Sequence, residues 1–337
     1  MVIITNTLPR LGLGLAALGR PGYINLNRSD IFDGKDANKS DTQRRSIDSM
    51  QEKANEVMQS LVSLAKENGT KPWFDCARSY GLSEKFVGDF LKNNQISASD
   101  VVVSSKWGYS YVADWNIELE SGAPHEIKDH SIDNFLKQIE ETKEQIGDYL
   151  NLYQVHSATF ESGILTDIRV HEALASTRKE ISCQIGLSVS SPVQNKIIEE
   201  ALKIKTSDGE RLFDSVQCTY NILEQRPADA LLKAHKEGMD IIIKEGMANG
   251  RILKNEKVVE ISDRLGCTPD ALALAFVLAQ PFKPRVLSGA VTPEQLESNA
   301  KCLKLAEELT MDDLQILYGL AMDSEQYWQD RAKLEWN

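Results

Sequence analysis

WFDCARSYGLSEKFVGDFL, residues 73–91, is the stretch that decides how this chain reads. Trp73 and Phe74 form a short apolar run that delivers Asp75 to its C-terminal end. A polar turn then carries Tyr80, and Gly81-Leu82-Ser83-Glu84 opens a segment with Phe86, Val87, Phe90 and Leu91 on one helical face. A strand, a turn with polar side chains and an amphipathic helix make the unit of a parallel α/β protein. In such proteins the polar residues at strand C-termini converge on one mouth.

Outward from this stretch the unit recurs. Residues 11–19 (LGLGLAALG) read as a first strand. Its glycines do not fit the G-x-G-x-x-G phosphate turn and are read as easing close packing. Residues 20–45, rich in Asn, Asp and Ser, read as a surface loop. Residues 46–68 read as a helix with Val57, Leu61 and Leu64 inward, ended by Gly69 and Pro72. Further strands are expected at 101–107, 150–156, 183–189, 216–220, 240–245 and 284–290. Helices are expected between them at 132–146, 168–178, 193–202, 228–236, 255–265 and 270–279. Another follows at 292–305, with Thr292 as cap and Pro293 as its first residue. The segment 108–130 is too polar and irregular to predict an element. About eight strands in unbroken alternation with helices favour a closed (β/α)8 TIM barrel over an open doubly wound sheet. The reading is one domain over residues 1–337, with an extra helix at 311–321 and a tail at 326–337 carrying Tyr327, Trp328 and Trp336.

Composition narrows the class. Hydrophobic residues make up 42% and charged residues 26% of the 337, ordinary for a soluble globular protein. A net charge of -12 argues against nucleic acid as partner. The longest apolar stretch, 271–279, is too short to span a bilayer, and MVIITNTLPR lacks the pattern of a secretory signal. The 5 cysteines are scattered without a C-x-x-C pair, which predicts reduced thiols, a cytoplasmic location and no metal site.

Four polar residues stand where barrel chemistry collects: Asp75, Tyr80, Lys106 and His156. A lysine ending the Val101-Val102-Val103 strand is costly to bury without an anion, and Asp75 is the obvious partner. Reducing a carbonyl needs a hydride donor and an acid for the developing alkoxide. Tyrosine ionises at about 10, and a nearby ammonium is expected to lower that. In this reading Tyr80 exchanges the proton, Lys106 tunes it, Asp75 holds Lys106, and His156 orients the carbonyl. The plainer reading is a structural ion pair beside a tyrosine. His125, His130, His171 and His235, in loop or helix contexts, are read as surface residues.

The order Asp75-x-Ala77-x-x-Tyr80-Gly81-x-Ser83-Glu84 strongly resembles the aldo-keto reductase signature. Lys106 in Ser-Ser-Lys-Trp-Gly and His156 in Tyr-Gln-Val-His-Ser are similar to that family's lysine and histidine strands. The resemblance covers nearly the whole chain. It implies an oxidoreductase that interconverts a carbonyl (aldehyde, ketone or aldose) and an alcohol by direct hydride transfer with NADP(H) or NAD(H). It also implies that Ser188 and Gln217 meet the nicotinamide amide, with Val189 where the family has Asn. Lys244 takes the place of the aromatic that stacks on the nicotinamide, and Gly246 lies in the pyrophosphate loop. Gly289, Thr292, Gln295 and Asn299 fall in the adenosine-phosphate segment. No Lys or Arg stands there to grip a 2′-phosphate, so NAD remains open beside NADP. Trp107 and Trp115, with Tyr109, are expected to form an apolar substrate wall, while Tyr111 is read as packing the loop down. A small-molecule substrate and a monomer follow from the same resemblance. The alternatives are a cofactor-binding regulatory subunit of another protein with little turnover, and an unrelated barrel lyase or isomerase using Lys106 and Asp75.

Overall fold

A computed structural model describes residues 9–23, 41–116 and 123–334. Eight parallel strands close into a barrel: β1 (Leu11–Gly14), β2 (Trp73–Asp75), β3 (Val102–Trp107), β6 (Leu150–Val155), β7 (Gln184–Ser188), β8 (Ser215–Thr219), β9 (Asp240–Lys244) and β10 (Arg285–Ser288). The order around the barrel is β1-β10-β9-β8-β7-β6-β3-β2, with helices filling most of the crossovers. This is the expected (β/α)8 TIM barrel. The strands are short apolar runs because both faces are covered, and side-chain period two divides them. Phe74 points outward to Phe90 at 6.0 Å between ring centroids, while Trp73 joins Val102, Leu152, Ile242 and Leu287 in a separate buried cluster. Each such side chain stabilises the fold by about 1.5–3 kcal/mol. A Cβ on Gly12 would lie 2.4 Å from the Trp73 ring, so this glycine makes room for the indole.

One layer nearer the mouth the interior turns polar. Asp75 Oδ1 accepts from Ser104 Oγ at 2.7 Å, and Trp73 Nε1 donates to the same serine oxygen at 3.0 Å. The barrel therefore has an apolar floor and a hydrogen-bonded layer on which the mouth is built.

Three regions depart from expectation. Residues 108–130 contain an antiparallel hairpin of β4 (Tyr109–Tyr111) and β5 (Glu126–Lys128), with Tyr109 opposite Lys128. Three-residue, half-buried strands carry no hydrophobic alternation, which is why the pattern is silent there. The tail folds as a helix, Ser324–Ala332, capped by Asp323 and pinned by a fully buried Tyr327. His130 and His171 are buried rather than surface residues, and their Nε2 atoms meet the carbonyls of His156 and Ile164 at 2.9 and 2.6 Å. Most of the 20–45 loop and Trp336 lie outside the described residues. Among those described, no helix is long and apolar enough to cross a membrane.

Candidate active site

The mouth of the barrel is organised by one buried charge. Lys106, at 0% exposure, donates to Asp75 Oδ2 at 2.5 Å and to the Cys76 carbonyl at 2.8 Å. Asp75 Oδ1 also faces Gln217 Nε2 at 3.3 Å and Gln154 Nε2 at 3.4 Å. A buried cation without such partners would not survive.

Tyr80 lies on the turn above this pair, with Lys106 Nζ 4.9 Å and the Arg20 guanidinium 5.3 Å from its ring centroid. The turn is set by a close backbone approach: Leu82 N donates to the Gly19 carbonyl at 2.8 Å, and Gly81 has φ 58. A Cβ on Gly81 would meet that same carbonyl at 2.4 Å, so both space and backbone require glycine. Burial, and then the Asp75 carboxylate, push the Tyr80 phenol well above the usual tyrosine range. Burial and the Asp75 carboxylate outweigh the lowering expected from Lys106.

His156 follows the end of β6 and meets Tyr80 edge-on at 5.4 Å and Tyr109 at 5.0 Å. Its Nδ1 lies 3.3 Å from Ser79 Oγ, so Nε2 is the nitrogen left for a ligand. Burial, followed by the charges of Lys106, Lys244 and Arg20, holds its pKa well below the ordinary value. Both effects favour the neutral imidazole. Ser79, His130 and Arg20, which also donates to the Ser79 carbonyl at 2.9 Å, support the site without any signal in the sequence pattern.

Two clefts meet above these residues. The first is lined by Gly14, Ala16, Asp75, Gln217, Gly246, Asn249, Ser288 and Gly289, among others. The second is lined by Arg20, Tyr109, Glu126, Lys128, His156, Ser157, Ser190 and Arg331, among others. Tyr23, Tyr80, Lys244 and Glu245 line both. Lys244 Nζ donates to Ser190 Oγ at 2.7 Å and Thr219 Oγ1 at 2.8 Å, and burial pulls its pKa down to about 8. Glu245 is clamped by Arg331 of the C-terminal helix, Nε lying 3.0 Å from both carboxylate oxygens.

Of the residues expected on the cofactor, Gln217, Lys244, Gly246 and Gly289 line the first cleft. Ser188 is buried instead, accepting from Ser157 N at 2.8 Å. Thr292 caps the helix Pro293–Ala300, and Gln295 Oε1 accepts from Val291 N at 2.9 Å. Asn299 is buried between Ser288 Oγ at 2.7 Å and Asp270 Oδ2 at 2.6 Å, which already engage both ends of its amide. The cleft still fits a dinucleotide. It runs from Tyr80 past Gly246 to Gly289, where a Cβ would meet nothing within 4 Å, near the N-terminus of a capped helix. The expected apolar substrate wall is corrected. Trp107 is fully buried against Phe135 and His130, and Trp115 packs edge-on to Phe86 while donating to the Arg45 carbonyl at 2.7 Å. Of the four aromatics, Tyr109 reaches the second cleft.

A closed parallel barrel with a polar mouth at its strand ends is the architecture of a barrel enzyme. The aldo/keto reductase family profile matches residues 42–321, and the chain belongs to that family. Among curated proteins it is 22% identical to the uncharacterized oxidoreductase YqkF of Bacillus subtilis over 286 residues, 77% of this chain and 85% of that one. Aldo-keto reductase AKR11C1 from Bacillus halodurans superposes with a TM-score of 0.62 at 21% identity, covering 93% of this chain and 92% of that one. A mutant of Gox0644, solved in complex with NADPH, gives 0.60 at 19% identity, covering 94% of this chain and 90% of that one.

Proposed function

We propose that this chain interconverts a small carbonyl compound and its alcohol, with Tyr80 as the proton donor and acceptor. The observation that carries the reading is that Tyr80 lines both clefts while standing over the buried ion pair and edge-on to His156. A nicotinamide in the first cleft supplies or takes up the hydride. The chain's own groups do the rest. His156 Nε2–H and the Tyr80 hydroxyl hold the carbonyl oxygen, so charge developing there is met by two donors in a partly dry mouth. With its pKa raised by burial, Tyr80 is a protonated phenol at neutral pH, the form that reduction consumes. Lys106 sits close enough to stabilise the phenolate left after transfer, and Asp75 keeps that ammonium from moving.

Among the described residues, the end of the first cleft formed by Leu287, Ser288 and Gly289 carries no Lys or Arg, which favours NAD(H) over NADP(H). The test is nicotinamide absorbance during turnover of aldehydes, ketones and aldoses with each cofactor. Oxidation of the reduced cofactor in step with an aldehyde supports the reading. Tight cofactor binding with no turnover of any carbonyl or alcohol would overturn it in favour of a regulatory subunit.

A further inference from the structure

The second cleft is unlike the chain that carries it. The protein has a net charge of -12, yet this cleft is lined by the cations Arg20, Lys128, Lys244 and Arg331 and by only two described carboxylates, Glu126 and Glu245. Most of these charges are already engaged. Arg20 pairs with Glu126, and Arg331 with Glu245. Lys244 is held by Ser190 and Thr219, with Glu245 at 3.8 Å.

Lys128 differs. It is half-buried on β5, donates to the Ser157 carbonyl at 2.9 Å, and lies 5.2 Å from the Tyr109 ring centroid. Among the described residues no carboxylate forms an ion pair with it; the charge of exposed Glu161 reaches it only as a field. Tyr109 in turn packs on His156, so Lys128 stands one tyrosine ring away from the histidine that faces the reacting oxygen. A cation drawn out of water toward a pocket and lacking a carboxylate partner is the arrangement that binds an anion.

Resting on the proposed function, we propose that the substrate carries an anionic group, a carboxylate or a phosphate, that Lys128 binds while the carbonyl sits between Tyr80 and His156. The surplus of positive charge also draws such a substrate into a cleft of an otherwise acidic protein.

The test compares kcat/KM within two matched pairs, with NADH and with NADPH. One pair is 4-carboxybenzaldehyde and its neutral methyl ester; the other is D-glyceraldehyde 3-phosphate and D-glyceraldehyde. The wild type is expected to prefer the anionic member of at least one pair by about tenfold or more, and which pair responds separates carboxylate from phosphate. In Lys128→Gln that ratio falls by about the same factor; Lys128→Arg keeps it, and added salt lowers it. A ratio unchanged by Lys128→Gln, or a preference for the neutral member in both pairs, overturns the assignment. Calorimetric binding of 4-carboxybenzyl alcohol and of glycerol 3-phosphate reads the anion site without turnover. Binding of either that depends on Lys128, in a protein that turns over none of the aldehydes, upholds the site and counts against the proposed reaction alone. Failure of both to bind the wild type overturns the site.

Discussion

Lys106 and Tyr80 face each other across 4.9 Å, ammonium to ring centroid, while the ammonium itself is held 2.5 Å from Asp75. The charge of Lys106 is thus compensated by Asp75. Asp75→Asn removes that compensation and leaves a buried cation behind. The variant is expected to be destabilised by about 3 kcal/mol, read from urea unfolding. Asp75→Asn/Lys106→Met should regain most of the loss. A single variant as stable as the wild type would contradict the pairing.

Lys244 gives a prediction of opposite sign. Its pKa is pulled from 10.5 to about 8 by burial, so the unfolded chain binds more protons between those values. Stability therefore rises with pH through that window, and below about 8 the lysine is a net cost. Lys244→Met should raise the unfolding midpoint at neutral pH, and the gain should shrink as the pH climbs above about 8. An unchanged or lower midpoint at neutral pH would show that Ser190, Thr219 and Glu245 outweigh the desolvation.

Glu245 and Arg331 tie the C-terminal helix to the mouth. Burial raises the Glu245 pKa, but the neighbouring cations, Arg331 first, bring it down to about 2. This contribution is present above the ordinary carboxylate range and is lost as pH falls through about 2. Arg331→Ala strands the buried carboxylate, so the unfolding midpoint should drop. Protease cleavage within residues 324–332 should also quicken. Adding Glu245→Gln should restore part of the midpoint. Equal stability of both variants and the wild type would mean that the helix is held by Tyr327 alone.

Cofactor choice turns on a smaller contact. Gln295 and Asn299 are neutral amides, and Asn299 is engaged on both sides, so neither offers a positive charge to a 2′-phosphate. Gln295→Arg should raise the affinity for NADPH relative to NADH by about tenfold, measured by cofactor fluorescence. No gain in that ratio would remove the argument for NAD(H).

The barrel and the placement of Asp75, Tyr80, Lys106 and His156 were legible because each polar residue interrupts or follows a short buried run. Local pattern carries that information. Lys128 was not legible, since its meaning depends on a hairpin that pairs it with Tyr109 across a polar segment. Arg331 meets Glu245 from far along the chain, and no periodicity announces such a contact. Trp107 misled for a related reason. It ends β3 beside the catalytic candidate, but strand alternation turns it outward into the helix layer against Phe135. His130 looked like a loop residue, yet its ring is buried against the carbonyl of His156.

The central claim is that Tyr80 moves the proton. Single-turnover reduction of an aldehyde, with cofactor binding measured on the same samples, tests it in the wild type and in Tyr80→Phe. The account predicts unchanged cofactor affinity and a chemical step slowed by about 10²–10⁴-fold. A Phe variant that reduces the aldehyde at the wild-type rate would contradict it.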